Sequence, residues 1–114
     1  MSSKLNILFV CSKNQWRSPT AEAIFRNRAS VAVRSAGTRK SANRTVTSRD
    51  LQWADLIFAM EGKHKQRLLA DFRGEAKGKD IFVLEIPDVY RHMDLELIEQ
   101  LELQVMPILE TYGA

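Results

Sequence analysis

Apolar residues fall into two patterns that alternate along the chain. Short runs rich in β-branched and aromatic residues suit buried strands: Leu5 to Val10 (LNILFV), Val31 to Ser35 (VAVRS), Asp55 to Ala59 (DLIFA) and Asp80 to Leu84 (DIFVL). Between them apolar positions recur at helical spacing. Ser18 as N-cap and Pro19 at the first helical position open PTAEAIFRNRA, with Ala21, Ile24, Phe25 and Ala29 on one face. Thr47 to Trp53 predicts a short helix with Asp50 in its first turn, and Gly62 to Phe72 a further helix carrying Leu68, Leu69 and Phe72. Asp94 caps the longest helix, whose Leu95, Ile98, Leu101, Val105 and Leu109 form an apolar stripe, kinked or interrupted near Pro107. Arg73, Lys77 and Lys79, around Gly74 and Gly78, read as a solvated loop. This alternation predicts an α/β fold: an open four-stranded parallel sheet with helices on both faces, where right-handed crossovers place them. Ligands of such sheets bind beyond the carboxyl ends of the strands. The first strand ends at Cys11, which directs attention there.

Composition narrows the class. At 114 residues, 45% hydrophobic and 27% charged, the chain has the size and balance of one folded domain spanning residues 1–114. No apolar run approaches the roughly 20 residues that cross a bilayer, and Met1 to Lys4 with the short apolar stretch after it lacks the shape of a signal peptide, so a cytoplasmic location is expected. A single cysteine excludes an internal disulfide and a cysteine-based zinc cluster; His64 and His92 are too far apart to suggest a metal pair and read as structural or surface residues. No metal and no cofactor is expected. The net charge of +3 hides a division: residues 1–49 hold ten bases and one acid, Glu22, whereas residues 50–114 hold seven bases and thirteen acids. One face is therefore expected to meet an anion.

The segment LFVCSKNQWRSPTAEAIF supplies the chemistry such an anion needs. A loop between a strand and a helix N-terminus can aim several amides at one point, and Arg17 adds a planar fork suited to a tetrahedral oxyanion. The same field stabilises a thiolate over a thiol, so Cys11 would be nucleophilic. A cysteine closing an apolar strand is more often an inert core residue, and a Cys–Arg spacing alone leaves both readings open. The context shifts the balance: a strand before, a Ser-Pro helix start after, and Asn14 between, whose amide can pin an unusual backbone conformation.

The segment resembles the signature of the low-molecular-weight protein tyrosine phosphatase family: Cys, five residues, then Arg-Ser-Pro and a helix containing Ala-Glu. The resemblance continues at SAGT (Ser35 to Thr38), ADLIFAM (Ala54 to Met60) and IPDVY (Ile86 to Tyr90), in the family's order. It implies that Cys11 is the nucleophile, that Arg17 and the amides of the loop Ser12, Lys13, Asn14, Gln15 and Trp16 bind phosphoryl oxygens, and that Ser18 donates to the Cys11 thiolate. It also implies that Asn14 stabilises the loop, that Asp88 is the general acid, and that Tyr90 flanks the substrate ring. Departures are local. Asp88-Val89-Tyr90 stands where the family usually has Asp-Pro-Tyr, Lys13 where it has Gly, and Trp16 where it has a second Cys; Gln15 stands where phosphoarginine-directed relatives carry Thr. The chain is also shortened between SAGT and the third strand, where RKSANRTVTSR replaces a longer substrate wall.

These readings predict a metal-independent phosphatase that hydrolyses phosphomonoesters, above all phosphotyrosine in a protein, through a phosphocysteine. The alternatives are arsenate reduction with an external thiol, and a non-catalytic phosphate- or nucleic-acid-binding module. The basic stretch lacks the interleaved aromatics of a single-strand platform, so no specific nucleic acid is expected, nor a membrane; nothing points to an oligomeric state. Lys13, Arg17, Arg39, Lys40 and Arg44 are expected to surround the oxyanion and steer acidic substrates to it.

Overall fold

The computed structural model describes residues 4–114, so the part of the N-terminal reading that falls on Met1 to Ser3 lies outside it. Its elements follow in the order β1 (Leu5–Cys11), α1 (Arg17–Phe25), β2 (Val31–Gly37), α2 (Ser48–Trp53), β3 (Leu56–Ala59), α3 (Gly62–Asp71), α4 (Arg73–Ala76), β4 (Asp80–Val83) and α5 (Leu95–Thr111). All strands are parallel, in the order β2-β1-β3-β4. The chain thus moves from β1 to one side and then crosses to the other, so the order reverses at β1 and β3, and the segments leaving those two strands diverge there.

Pleating divides β1 between two cores. Ile7, Phe9 and Cys11 face a cluster that includes Ala21 and Phe25 of α1 and Leu97, Leu101, Val105 and Leu109 of α5. Leu8 and Val10 face the opposite cluster, with Leu51 of α2, Leu68 of α3 and Ala76 of α4. On the first face Phe25, Phe9, Phe58 and Phe82 stack in a row with ring centroids 5.7, 5.3 and 5.5 Å apart. Truncating the central Phe9 would cost about 3–5 kcal/mol through lost burial and the cavity left behind. Continuing the alternation past Cys11 turns Ser12 to the α3 side.

Several expectations are corrected in detail. Helix α1 starts at Arg17 with Trp16 as N-cap, and Ser18 lies inside the first turn, its side chain engaged elsewhere. The helix ends at Phe25, leaving Ala29 exposed. The solvated loop at 73–79 contains the short helix α4, folded because Ala76 is covered by the second core. In α5 the buried stripe is Leu97, Leu101, Val105 and Leu109, while Leu95 is 81% exposed. Pro107 does not interrupt α5, because it lies on the exposed side, away from the packed stripe. Asp94 caps α5 as expected, its carboxylate accepting from the Glu96 N–H at 2.9 Å; at α2 the helix starts at Ser48, and Thr47 becomes its N-cap in a reciprocal capping box with Asp50. Among the described residues, no helix is long and apolar enough to cross a membrane.

Candidate active site

The loop between β1 and α1 is clamped from outside through its carbonyls. Thr38 and Arg39 donate their backbone N–H groups to the carbonyls of Cys11 and Ser12 at 2.9 and 3.0 Å, and Asn43 donates its backbone N–H to Lys13 O at 2.9 Å. The Asn43 side chain adds a bond to the Asn14 carbonyl at 3.1 Å. With the carbonyls turned outward, the N–H groups of residues 12–18 donate to no acceptor among the described residues. Inward amides and outward carbonyls make an anion cradle. Gly37 permits the close fit: a Cβ there would lie 2.6 Å from the Ser12 carbonyl oxygen and 2.9 Å from the Asn14 nitrogen. The segment 38–43 therefore holds the loop's shape.

A chain of side chains supports Cys11 from behind. Asn14 takes the left-handed conformation (φ 52), which its short amide tolerates better than most side chains. Its Nδ2 donates to Ser18 Oγ at 3.0 Å and to Ser35 Oγ at 2.9 Å. Ser35 passes its proton toward the Glu22 carboxylate at 2.5 Å. Ser18 Oγ lies 2.9 Å from Cys11 Sγ and only 3.4 Å from the Ala36 carbonyl. Since Asn14 already occupies a lone pair of Ser18, the Ser18 hydroxyl is free to donate to a Cys11 thiolate.

Arg17 is 2% exposed and anchored along one edge. Its Nη1 donates to the Ile86 carbonyl at 2.8 Å and pairs with Glu61 Oε2 at 3.1 Å, while Nε faces Asp88 Oδ1 at 3.7 Å. Nη2 has no partner among the described residues, so the Nε/Nη2 edge remains to meet an oxyanion. Burial pushes the Glu61 carboxyl up, but contact with Arg17 and then Lys63 holds it below the usual range. Cys11, Lys13, Gln15, Trp16, Arg17 and Asp88 line one depression of about 50 Å³. Asp88 reaches it from an exposed segment, its side chain 52% accessible.

Not every expected residue is in that depression. Ser12 faces a neighbouring one, Asn14 and Ser18 work from behind the loop, and half-buried Tyr90 packs against the first core instead of lining the Cys11 depression. The ring of steering cations is also corrected. Arg44 is turned away, donating to Ser35 O at 2.8 Å and to the buried Asp50 at 2.5 Å. Burial raises Asp50, but Arg44 and Thr47 together hold it below the usual carboxylate range. Arg39 lines the neighbouring depression, and Lys40 lines neither.

The sequence model of the low molecular weight phosphotyrosine protein phosphatases matches residues 6–49, which contain the cradle, its clamp and its supports. A tyrosine phosphatase from Vibrio cholerae O395 superposes with a TM-score of 0.77 at 26% identity, covering 96% of this chain and 97% of its own. The chain shares the fold of this family and, over residues 6–49, its sequence pattern. The tyrosine phosphatase Wzb from Escherichia coli K30, solved with phosphate, is similar with a TM-score of 0.75 at 27% identity over 93% of this chain and 96% of that one. A protein-arginine-phosphatase from Bacillus subtilis (strain 168) is 33% identical in an alignment 95 positions long that covers 60% of this chain and 63% of the relative.

The site also contains residues outside the motif. Glu22 had a signal, being the sole acid among the first 49 residues, yet nothing in sequence tied it to Ser35. Ser35 was noted only as the start of SAGT. Glu61 follows β3 at the reversal of strand order, and its pairing with Arg17 appears only in three dimensions. His64 is structural, as expected, but at the site: its Nδ1 accepts from the Glu61 N–H at 3.0 Å, so its proton sits on Nε2, which donates to Ser12 Oγ at 2.8 Å. Burial and then the charge of Arg17 push His64 down to about 4, keeping it neutral at physiological pH. Exposed His92 lies 3.4 Å from Thr20 Oγ1. Among the described residues no His, Cys, Asp and Glu side chains group to hold a metal ion.

Proposed function

We propose that this protein is a cysteine-dependent phosphatase acting on phosphomonoesters, with phosphotyrosine in a polypeptide as its substrate. The observation that carries the reading is the Cys11–Ser18–Asn14 arrangement: Sγ lies 2.9 Å from a hydroxyl that already accepts from Asn14, beside loop amides that have no acceptor among the described residues. In the first step the Cys11 thiolate attacks phosphorus, the P–O bond to the leaving group breaks, and protonated Asp88 delivers its proton to the departing oxygen. The phosphoryl group is then bonded to sulfur, its oxygens held by the amides of residues 12–18 and the free edge of Arg17. In the second step water attacks the phosphocysteine, Asp88 takes its proton, phosphate leaves, and Ser18 donates to the returning thiolate. The 50 Å³ depression accommodates a phosphoryl group and little more, and half-buried Trp16 on its rim offers an apolar face to a leaving ring.

Identity to a protein-arginine-phosphatase favours a second substrate reading, phosphoarginine, against which Gln15 stands. Arsenate reduction would need an external thiol, since Cys11 is the only cysteine. The deciding assay compares wild type with Cys11→Ser on an aryl phosphate, a phosphotyrosine peptide and a phosphoarginine peptide. Turnover is expected in wild type, blocked by vanadate and indifferent to chelators, and absent in the variant; persistence in the variant would end the reading. Faster hydrolysis of phosphoarginine than phosphotyrosine would move the substrate, not the mechanism.

A further inference from the structure

A second depression, of about 390 Å³, adjoins the catalytic loop on the side away from α1 and is lined by Ser12, Thr38, Arg39, Lys63, Gln66 and Arg67, with His64 at its wall. It lies where the segments after β1 and β2 meet the outer face of α3, at the carboxyl edge of the sheet, and no carboxylate lines it. Its cations have capacity to spare. Arg39 has no ion pair among the described residues; Arg67 meets Asp71 through Nε at 2.7 Å, leaving its terminal nitrogens; Lys63 shares Glu61 with Arg17. Thr38 and Gln66 add neutral donors, and the Ser12 hydroxyl, accepting from His64, can donate outward.

The two depressions are faced by consecutive residues, Cys11 and Ser12. An extended peptide advances about 3.3 Å per residue, so a polypeptide with its phosphorylated side chain over Cys11 brings a side chain a few positions away into reach. We propose that this depression is a subsite for an anionic side chain, a carboxylate or second phosphoryl group, carried by the substrate within a few residues of the phosphorylated one. The proposal rests on the phosphatase reading and extends it to substrate choice. It replaces diffuse steering with a built pocket: Arg39 and Arg67 take part, and equally basic Lys40 and Arg44 do not.

The test pairs a phosphotyrosine peptide flanked by Glu with its Gln counterpart, on wild type, Arg67→Gln, the double variant Arg39→Gln/Arg67→Gln and Lys40→Gln. Wild type should show a KM about fivefold lower for the Glu peptide, as expected of two partly exposed ion pairs. Arg67→Gln alone should weaken that preference with kcat and the KM of a small aryl phosphate unchanged, the double variant should abolish it, and Lys40→Gln should keep it. Absence of the preference in wild type, its survival in the double variant, or an equal rise in KM for the aryl phosphate would each overturn the subsite. Inorganic phosphate acting non-competitively with the aryl phosphate, abolished by the double variant and without any peptide preference, would assign the pocket to a free anion instead. Affinity of the Cys11→Ser protein for the two peptides reads the same preference without turnover, so a failure of catalysis and a failure of the subsite are separate results.

Discussion

The loop that carries Cys11 and the segment that carries Asp88 meet over one depression but are held by opposite means. The first is cross-linked, its carbonyls bonded to residues 38–43 and its buried side chains joined from Glu22 through Ser35, Asn14 and Ser18 to Cys11. The second runs between two non-glycine residues in left-handed conformation, Glu85 (φ 54) and Met93 (φ 62), with Val89 73% exposed. It is tied down mainly at its ends, by Ile86, which donates to Met60 O at 2.8 Å and accepts from Arg17, and by Met93, which donates to Thr20 Oγ1 at 2.9 Å. A nucleophile and its oxyanion donors gain from being fixed before the substrate arrives. In the proposed mechanism Asp88 exchanges protons with both leaving group and water, which an exposed position allows.

The contrast can be broken or sharpened by experiment, the strongest first. His64 supports the fixed loop through Ser12, and its folded-state pKa near 4 lies below the ordinary 6.5, so the unfolded chain takes up the proton first. Stability should therefore be full above pH 6.5 and fall by on the order of 3 kcal/mol as pH drops toward 4. Asp50 and Glu61, held below their usual ranges, should add losses only below about pH 4.5. Urea midpoints of wild type and His64→Gln across this window provide the check, with the slope between pH 6.5 and 4.5 expected to flatten in the variant.

Asp88→Asn should lower kcat about a hundredfold for esters with poor leaving groups and leave Tm unchanged, because the side chain is half exposed. A matching drop in Tm would mean the acid segment is as structural as the cradle. Gly37→Ala should cost about 2.5 kcal/mol, since the new Cβ must displace the backbone of Ser12 and Asn14, and activity should fall with it. Asn14→Ala should cost about 2 kcal/mol by leaving Ser18 and Ser35 without their donor while the backbone stays left-handed. Its kcat should fall further than its Tm would suggest; a stability loss with unaltered kcat would separate the support chain from catalysis.

Much of the architecture was legible because it depends on local pattern. The strand cores, the cap at Asp94, and the position of Cys11 at the carboxyl end of β1 all follow from runs of apolar residues and the side chains that close them. Misreadings occurred where tertiary burial selects among equivalent local options. Leu95 and Leu97 both fit an α5 stripe, and only the sheet's position buries Leu97. Ser18 is as good an N-cap as any serine until Cys11 and Asn14 claim its hydroxyl. The basic run Arg39 to Arg49 carries no sign that Arg44 turns inward to Asp50 while Arg39 stays at the rim.

The α/β alternation and the placement of Cys11, Arg17 and Asp88, to which the proposed mechanism assigns nucleophile, oxyanion fork and acid, were legible in the sequence, because each sits within a few residues of the element that presents it. That Glu61 pairs with Arg17, that Glu22 and Ser35 stand behind Asn14, and that His64 holds Ser12 beside a basic depression emerges from folding alone. Those partners come from different strands and helices, and hydrogen bonds and ion pairs form only between groups that folding brings within about 3 Å.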